Sequence, residues 1–243
     1  MSRHTDITEW LNLAIELLQS GKLNDAEEAA REAIDLDPTY AISWNELGII
    51  LGFGGRYQES EKAFRKAIEL DPELAMSWGN LGTTLNQLTR YNEAEIALRK
   101  AVELRPSESQ PWIDLGDACR KQNKLEHAEH AYEKAVELDE RNARAWHDLG
   151  ITLITLGKDE RAEYALRQAV ALQPSSAESW YNLGNLLGRQ GHHKEAEEPF
   201  RKAIELNPTY ELAWTGLAIV LREQGEQEKA KEALDKARSL LNR

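Results

Sequence analysis

His127 and His130 lie three residues apart, with Glu126 and Glu129 beside and between them, a spacing that suits two metal ligands on one helix face. No third ligand follows at a matching distance, and the neighbouring His192 and His193 also lack one, so no metal site is expected. The single cysteine, Cys119, stands where equivalent segments carry Leu, which predicts a buried, inert thiol and not a nucleophile. A phosphate-cradling glycine loop, a Ser-His-Asp order in context and a pair of carboxylates in a defined cleft are all missing. The expectation is a protein without catalysis and without a cofactor.

The chemistry left is recognition by polar side chains, and the tryptophans show how these are arrayed. Trp10, Trp44, Trp78, Trp112, Trp146, Trp180 and Trp214 are each 34 residues from the next. Two residues after each stands Asn12, Glu46, Asn80, Asp114, Asp148, Asn182 or Gly216, six of them amide or carboxylate. An amide donates and accepts, so a row of such groups can pair with the backbone of a bound chain whatever its side chains. The plainer reading, a solvated polar helix face, stays open beside it.

A fixed period of this length means a stack of small units and not one globular core. The repeats run 7–40, 41–74, 75–108, 109–142, 143–176, 177–210 and 211–243, after an extension at 1–6. Leu follows each Trp by three residues, then a small residue: Ala14, Gly48, Gly82, Gly116, Gly150, Gly184 and Ala218. Later come Ala26 to Ala230 in register, with Ser60 in the second repeat, and then bulky residues such as Phe64, Tyr132 and Phe200. Steps of three and four put these on one face of a helix, so each repeat reads as two amphipathic helices.

Gly55, Gly157, Gly191 and Gly225, with Thr89 and Asn123 at the same place, mark the turn inside the pair. Pro38, Pro72, Pro106, Pro174 and Pro208 end the second helix. Asp6 with Glu9 resembles a capping box that opens the first. A glycine in mid-helix costs about 1 kcal/mol, so the five need a compensating close approach, expected from alanines of the partner helix. The indoles are expected to be core. Pro199 falls inside the sixth second helix and is expected to distort it.

The frame of Trp44, Leu47, Gly48, Leu51, Ser60, Phe64, Ala67 and Pro72, and again of Trp180, Leu183, Gly184, Leu187, Ala196, Phe200, Ala203 and Pro208, resembles the tetratricopeptide repeat family. The resemblance covers residues 7–243. It implies an all-α fold, a right-handed superhelical α-solenoid of seven helix-turn-helix repeats, with first helices lining a concave groove. It also implies binding of protein or peptide segments.

In that frame the groove candidates are Asn12, Asn45, Glu46, Phe53, Asn80, Asp114, Asp117, Arg144, His147, Asp148, Tyr181, Asn182 and Asn185. The first three repeats add apolar Ile15, Ile42, Ile49 and Met76, and later ones add Arg120, Lys121 and Arg189, so the groove reads as an apolar half and a mixed-charge half. For Ile15 and Ile49, packing between neighbouring first helices is an equal alternative. The place after each Trp holds no Lys, which argues against the clamp that receives the acidic C-terminus of heat-shock chaperones.

Thirty Lys and Arg against 42 Asp and Glu leave a net charge of -12, which disfavours nucleic acid and favours a neutral or basic protein or peptide partner. No run is long and apolar enough for a membrane, and the start lacks the apolar core of a signal peptide, so the expected setting is the cytoplasm. The last helix, with Ala230, Leu234, Ala237 and Leu241, has no following cover, an end that could self-associate. The function expected is a scaffold binding an extended segment or helix in the groove. A homo-oligomerisation module and the recognition arm of a larger enzyme, such as a protein glycosyltransferase, are the alternatives.

Overall fold

Two short helices per 34 residues can each hide one apolar face only by packing against neighbours, and the chain does this fourteen times. The structure, a computed structural model, describes residues 3–241; these form fourteen helices and no strand. The first (A) helices are α1 (Arg3–Gln19), α3 (Ala41–Phe53), α5 (Ala75–Gln87), α7 (Ser109–Lys121), α9 (Ala143–Thr155), α11 (Ala177–Arg189) and α13 (Glu211–Glu223). The second (B) helices are α2 (Leu23–Leu36), α4 (Tyr57–Leu70), α6 (Tyr91–Leu104), α8 (Leu125–Leu138), α10 (Asp159–Leu172), α12 (His193–Leu206) and α14 (Gln227–Leu241). The chain divides into two compact bodies, Met1–Leu138 with α1 to α8 and Asp139–Arg243 with α9 to α14.

Within each body, an A helix packs on its own B helix, on the B helix before it and beside the next A helix. The start of the first body shows the result: Ala26, Ala29, Ala30 and Ile34 of α2 join Leu47, Ile50 and Leu51 of α3 and Ala63 of α4 in one buried cluster. The seven turns inside the pairs each place one residue at positive φ, five of them Gly, with Thr89 at 59° and Asn123 at 60°. The chain reverses there because the amide three residues past the helix reaches back five residues, as Arg90 does to Leu85 O and Lys124 to Cys119 O, both at 2.9 Å.

α1 already begins at Arg3, so Asp6 lies inside the helix and does not open it, since a cap residue stands outside the helical backbone. Pro199 also departs from expectation: α12 continues unbroken through it. The indoles are half-buried, and six of them carry out a second task. Each of these six Nε1–H groups donates to the carbonyl six residues earlier: Trp44 to Pro38 O at 2.9 Å, Trp112 to Pro106 O at 3.0 Å, Trp146 to Glu140 O at 2.9 Å. The ring therefore ties the turn between repeats to the A helix that follows it, while its carbon face lies against the core.

The mid-helix glycines admit a different neighbour from the one expected. A Cβ at Gly48 would stand 2.6 Å from the Phe64 ring, at Gly116 2.5 Å from Tyr132, and at Gly150 2.8 Å from Leu166. The bulky B-helix residue of the same repeat, not an alanine, fills the place of the missing side chain. Cys119 is fully buried, and desolvation pushes its thiol up to about 11, in keeping with an inert core residue.

Across the B helices of the first body runs a row of bridged carboxylates. Glu27 meets Arg31 and Arg56, Glu61 meets Arg65 and Arg90, and Glu95 meets Arg99 and Lys124. Burial would raise the Glu95 carboxyl, but hydrogen bonds from Lys124, Arg99 and Gln122 outweigh it and hold it at about 2. A depressed folded value means that this ionised group stabilises the fold above its ordinary value of 4.5 and ceases to do so as pH falls towards about 2. Glu95→Gln is thus expected to be less stable than the parent at pH 7, with the gap closing between pH 4.5 and 2. Urea midpoints across that range check it, and a gap that does not change with pH would remove the ion pairs from the account.

Candidate functional site

The A-helix faces of the two bodies carry the candidate residues, and packing sorts them into groups that hold the stack together and groups left for a ligand. Asn45, one residue after Trp44, is fully buried. Its Oδ1 accepts from Ser77 Oγ at 3.0 Å and from Asn80 Nδ2 at 3.2 Å, and its Nδ2 donates to Glu46 Oε1 at 3.3 Å. Asn45 is a strut between α3 and α5 and does not face a ligand, a correction to its place among the groove candidates. The reason is its register: the place after Trp lies against the next A helix.

Asp114 and Asp148 are buried to 6% and 9% exposure, which withdraws two rungs of the polar row. Asp114 accepts from Thr83 Oγ1 at 2.6 Å and Gln110 Nε2 at 2.8 Å, and Asp148 lies 3.4 Å from Arg144 Nε. Asp117 is likewise engaged. Tyr132 Oη donates to it at 2.6 Å, while Arg120 Nε donates to that same hydroxyl at 3.3 Å.

In the second body, Asn182 Nδ2 and His147 Nε2 stand 3.0 Å apart and join α9 to α11. Tyr181 is half-buried, with its ring 5.1 Å from Tyr210 and 6.1 Å from Phe200. Arg144 is exposed and Asn185 half-buried on the same helices. These residues form a mixed polar surface on α9 and α11.

The first body is different. Between its second and third repeats, an open cleft of about 240 Å³ is lined by Ile49, Phe53, Tyr57 and Phe64 on one side and by Asn80, Thr83 and Gln87 on the other. Phe53 is 72% exposed, the most exposed large apolar side chain among the described residues, and it stands at the mouth. The half-buried Asn80 lends one N–H to Asn45 and keeps its carbonyl and second N–H for other partners. Asn12 is exposed and Glu46 half-buried at the equivalent places on α1 and α3. Burial raises the Glu46 carboxyl, and the Asn45 amide only partly offsets this.

Thr83 and Gln87 were not among the candidates, yet the 34-residue frame could have found them. Thr83 occupies the place of Ile49, Asp117 and Asn185, and Gln87 that of Phe53. The histidine pair resolves as surface: His127 and His130 are exposed, with the His130 ring edge-on to Trp112 at 6.0 Å.

The family model described as Cilia and flagella-associated protein 70 C-terminal domain matches residues 78–243, more than half of the chain. Two tetratricopeptide repeat models match residues 39–107 and 11–51. Among solved structures the chain is similar to PilF of Pseudomonas aeruginosa, at 21% identity and a TM-score of 0.76, covering 92% of this chain and 99% of that one. It is similar to YrrB, a TPR protein with an unusual peptide-binding site, at 24% identity and 0.69, covering 77% and 96%. A third likeness is to MamA, at 23% identity and 0.64, covering 67% and 95%. At such identities the likeness is one of fold. No curated protein matches the chain.

Proposed function

Since the chain belongs to the tetratricopeptide repeat family, in which helical hairpins serve as protein-interaction scaffolds, we propose that it is a cytoplasmic, non-catalytic scaffold holding an extended segment or helix of a partner protein against its A helices. The observation that carries this reading is the Phe53 cleft of the first body, which joins an apolar wall to the amide and hydroxyl groups of α5. An apolar side chain of the partner enters the cleft, where its burial gives affinity, and Asn80 pairs with the partner's backbone and fixes its direction. The chain's net charge of -12 favours a neutral or basic segment.

The test is peptide selection by display against the full chain, followed by fluorescence polarisation of the selected peptides. Phe53→Ala and Asn80→Ala are each expected to weaken binding about tenfold, on the order of 1.4 kcal/mol. Selected peptides that bind both variants as tightly as the parent would refute the reading.

A second reading, self-association, draws on one specific feature. The α13–α14 hairpin leaves Leu212 50% and Ile219 47% exposed, and Ile219 lines a cleft with Ala218, Arg222, Ala230 and Leu234. A sedimentation-velocity mass that rises with concentration would support it, and a constant monomer mass would dismiss it.

A further inference from the structure

Glu46 is a charged rung of the polar row that has no counter-charge among the described residues. It lies half-buried on α3, and no Lys, Arg or His nitrogen of the described residues pairs with it. Its recorded partner is the neutral Asn45 amide, at 3.3 Å. The two other acidic rungs are more deeply buried: Asp114 accepts from both Thr83 and Gln110, and Asp148 sits by Arg144. At the same place the neighbouring repeats carry Asn12 and Asn80, which would make the same bond to Asn45 without a desolvated charge. A carboxylate held partly out of water without a cation destabilises the free fold, so its presence calls for something that the folded chain alone does not supply.

What it faces is set by a short chain of hydrogen bonds. Asn45 links Glu46 to Asn80, and Asn80 is on the rim of the Phe53 cleft, so the carboxyl stands two hydrogen bonds from that rim and one repeat away in register. No basic side chain lines the cleft.

We infer that Glu46 is the cation-binding subsite of the cleft: the preferred ligand is a peptide segment that places one bulky apolar side chain against Phe53 and, a few residues away, an Arg or Lys against Glu46. This rests on the peptide-binding reading given above and adds a ligand class to it. Pairing with the cation offsets the burial that opposes the charge on Glu46, and the charge-assisted bond forms in a partly dry setting that strengthens it. Arg suits the place better than Lys, because its fork can meet the carboxylate with two donors.

The experiment uses the full chain and two sets of fluorescein-labelled nonapeptides with blocked ends, built on an Ala-Ser background. Each peptide has one Leu or Phe, and at one to four residues from it either Arg or Gln. In the parent protein the best Arg peptide is expected to bind about tenfold tighter than its Gln twin, with the ratio shrinking as salt is raised. In Glu46→Gln the ratio is expected to fall to about one, while the Gln peptide binds as in the parent. Thermal melting of Glu46→Gln, expected at or above the parent's midpoint, shows that the variant is folded.

An Arg-to-Gln ratio near one in the parent, or one unchanged in Glu46→Gln, overturns the subsite. If Phe53→Ala then still weakens both twins, the peptide-binding reading stands without it. If no peptide of either set binds and display against the full chain yields none, both fall. A ratio near one in the parent protein overturns the subsite without any variant, and its loss in Glu46→Gln separates Glu46 from the general pull of the net charge of -12.

Discussion

Leu98→Ala is expected to destabilise the first body by about 3 to 4 kcal/mol, and in that background Gly82→Ala is expected to change from harmful to helpful. Leu98 is fully buried on α6, and a Cβ on Gly82 of α5 would overlap its Cγ. In the parent protein, Gly82→Ala therefore forces the leucine off its position at a cost of about 1 to 3 kcal/mol, set against about 1 kcal/mol gained in helix propensity. Once Leu98 is cut back, the clash is gone and the propensity gain remains. The added methyl also fills part of the cavity. The double-mutant cycle should show a coupling of about 2 kcal/mol, read from urea midpoints of the four proteins. Additive effects would mean that the glycine is not there to receive the leucine, and the same pairing of Gly48 with Phe64 and Gly116 with Tyr132 would lose its basis.

Pro199→Ala is expected to stabilise the second body by about 2 to 3 kcal/mol, a large gain for one surface-distant substitution. Pro199 is buried in mid-α12, where its missing amide leaves the carbonyl of Glu195 without its helical partner. In the other six repeats this place is held by Ala29, Ala63, Ala97, Ala131, Ala165 and Ala233, each at most 3% exposed. The helix stays continuous because Ala196, Phe200 and Ala203 around it are buried as firmly as their counterparts, so packing overrides the local penalty. A raised urea midpoint with an unchanged helical signal is the expected result. A lowered midpoint would mean that the ring fills a space that alanine leaves empty.

The same comparison shows where a sequence of this kind is legible. The period of 34, the steps of three and four and the prolines fix all fourteen helices, and positive φ at Gly55, Thr89 and Asn123 falls where the turns were read. Two departures, Asp6 inside α1 and Pro199 inside α12, share one feature: the helix runs on through a local signal that would start or break it, and at Pro199 burial of the helix face outweighs that signal. The identity of the residues filling the glycine gaps was missed because size, not helix membership, decides it. Phe64 and Tyr132 reach across where an alanine cannot.

The candidate site was less legible. A polar residue on an A helix can be a strut or a contact, and the difference lies in a neighbour one repeat away. Asn45 is buried because Ser77 and Asn80 can both reach its carbonyl, and His147 meets Asn182 at the same 35-residue separation as Asn45 and Asn80. Where Gly79 or Ile113 stands after the Trp, no such bond is possible and the next rung turns to other partners, as Asp114 does to Thr83 and Gln110. Phe53 was identifiable since nothing in the repeat pattern covers its place, and it is the candidate that the structure leaves most open.

Photo-crosslinking addresses the central claim, that ligands lie on the A helices of the first body. A display-selected peptide carrying benzoylphenylalanine at its apolar anchor, irradiated with the full chain and mapped by mass spectrometry, should label Ile49, Phe53 or Gln87. Labelling concentrated instead on exposed B-helix residues such as Ile96 and Tyr164 would contradict it and place the binding face on the other side of the hairpins.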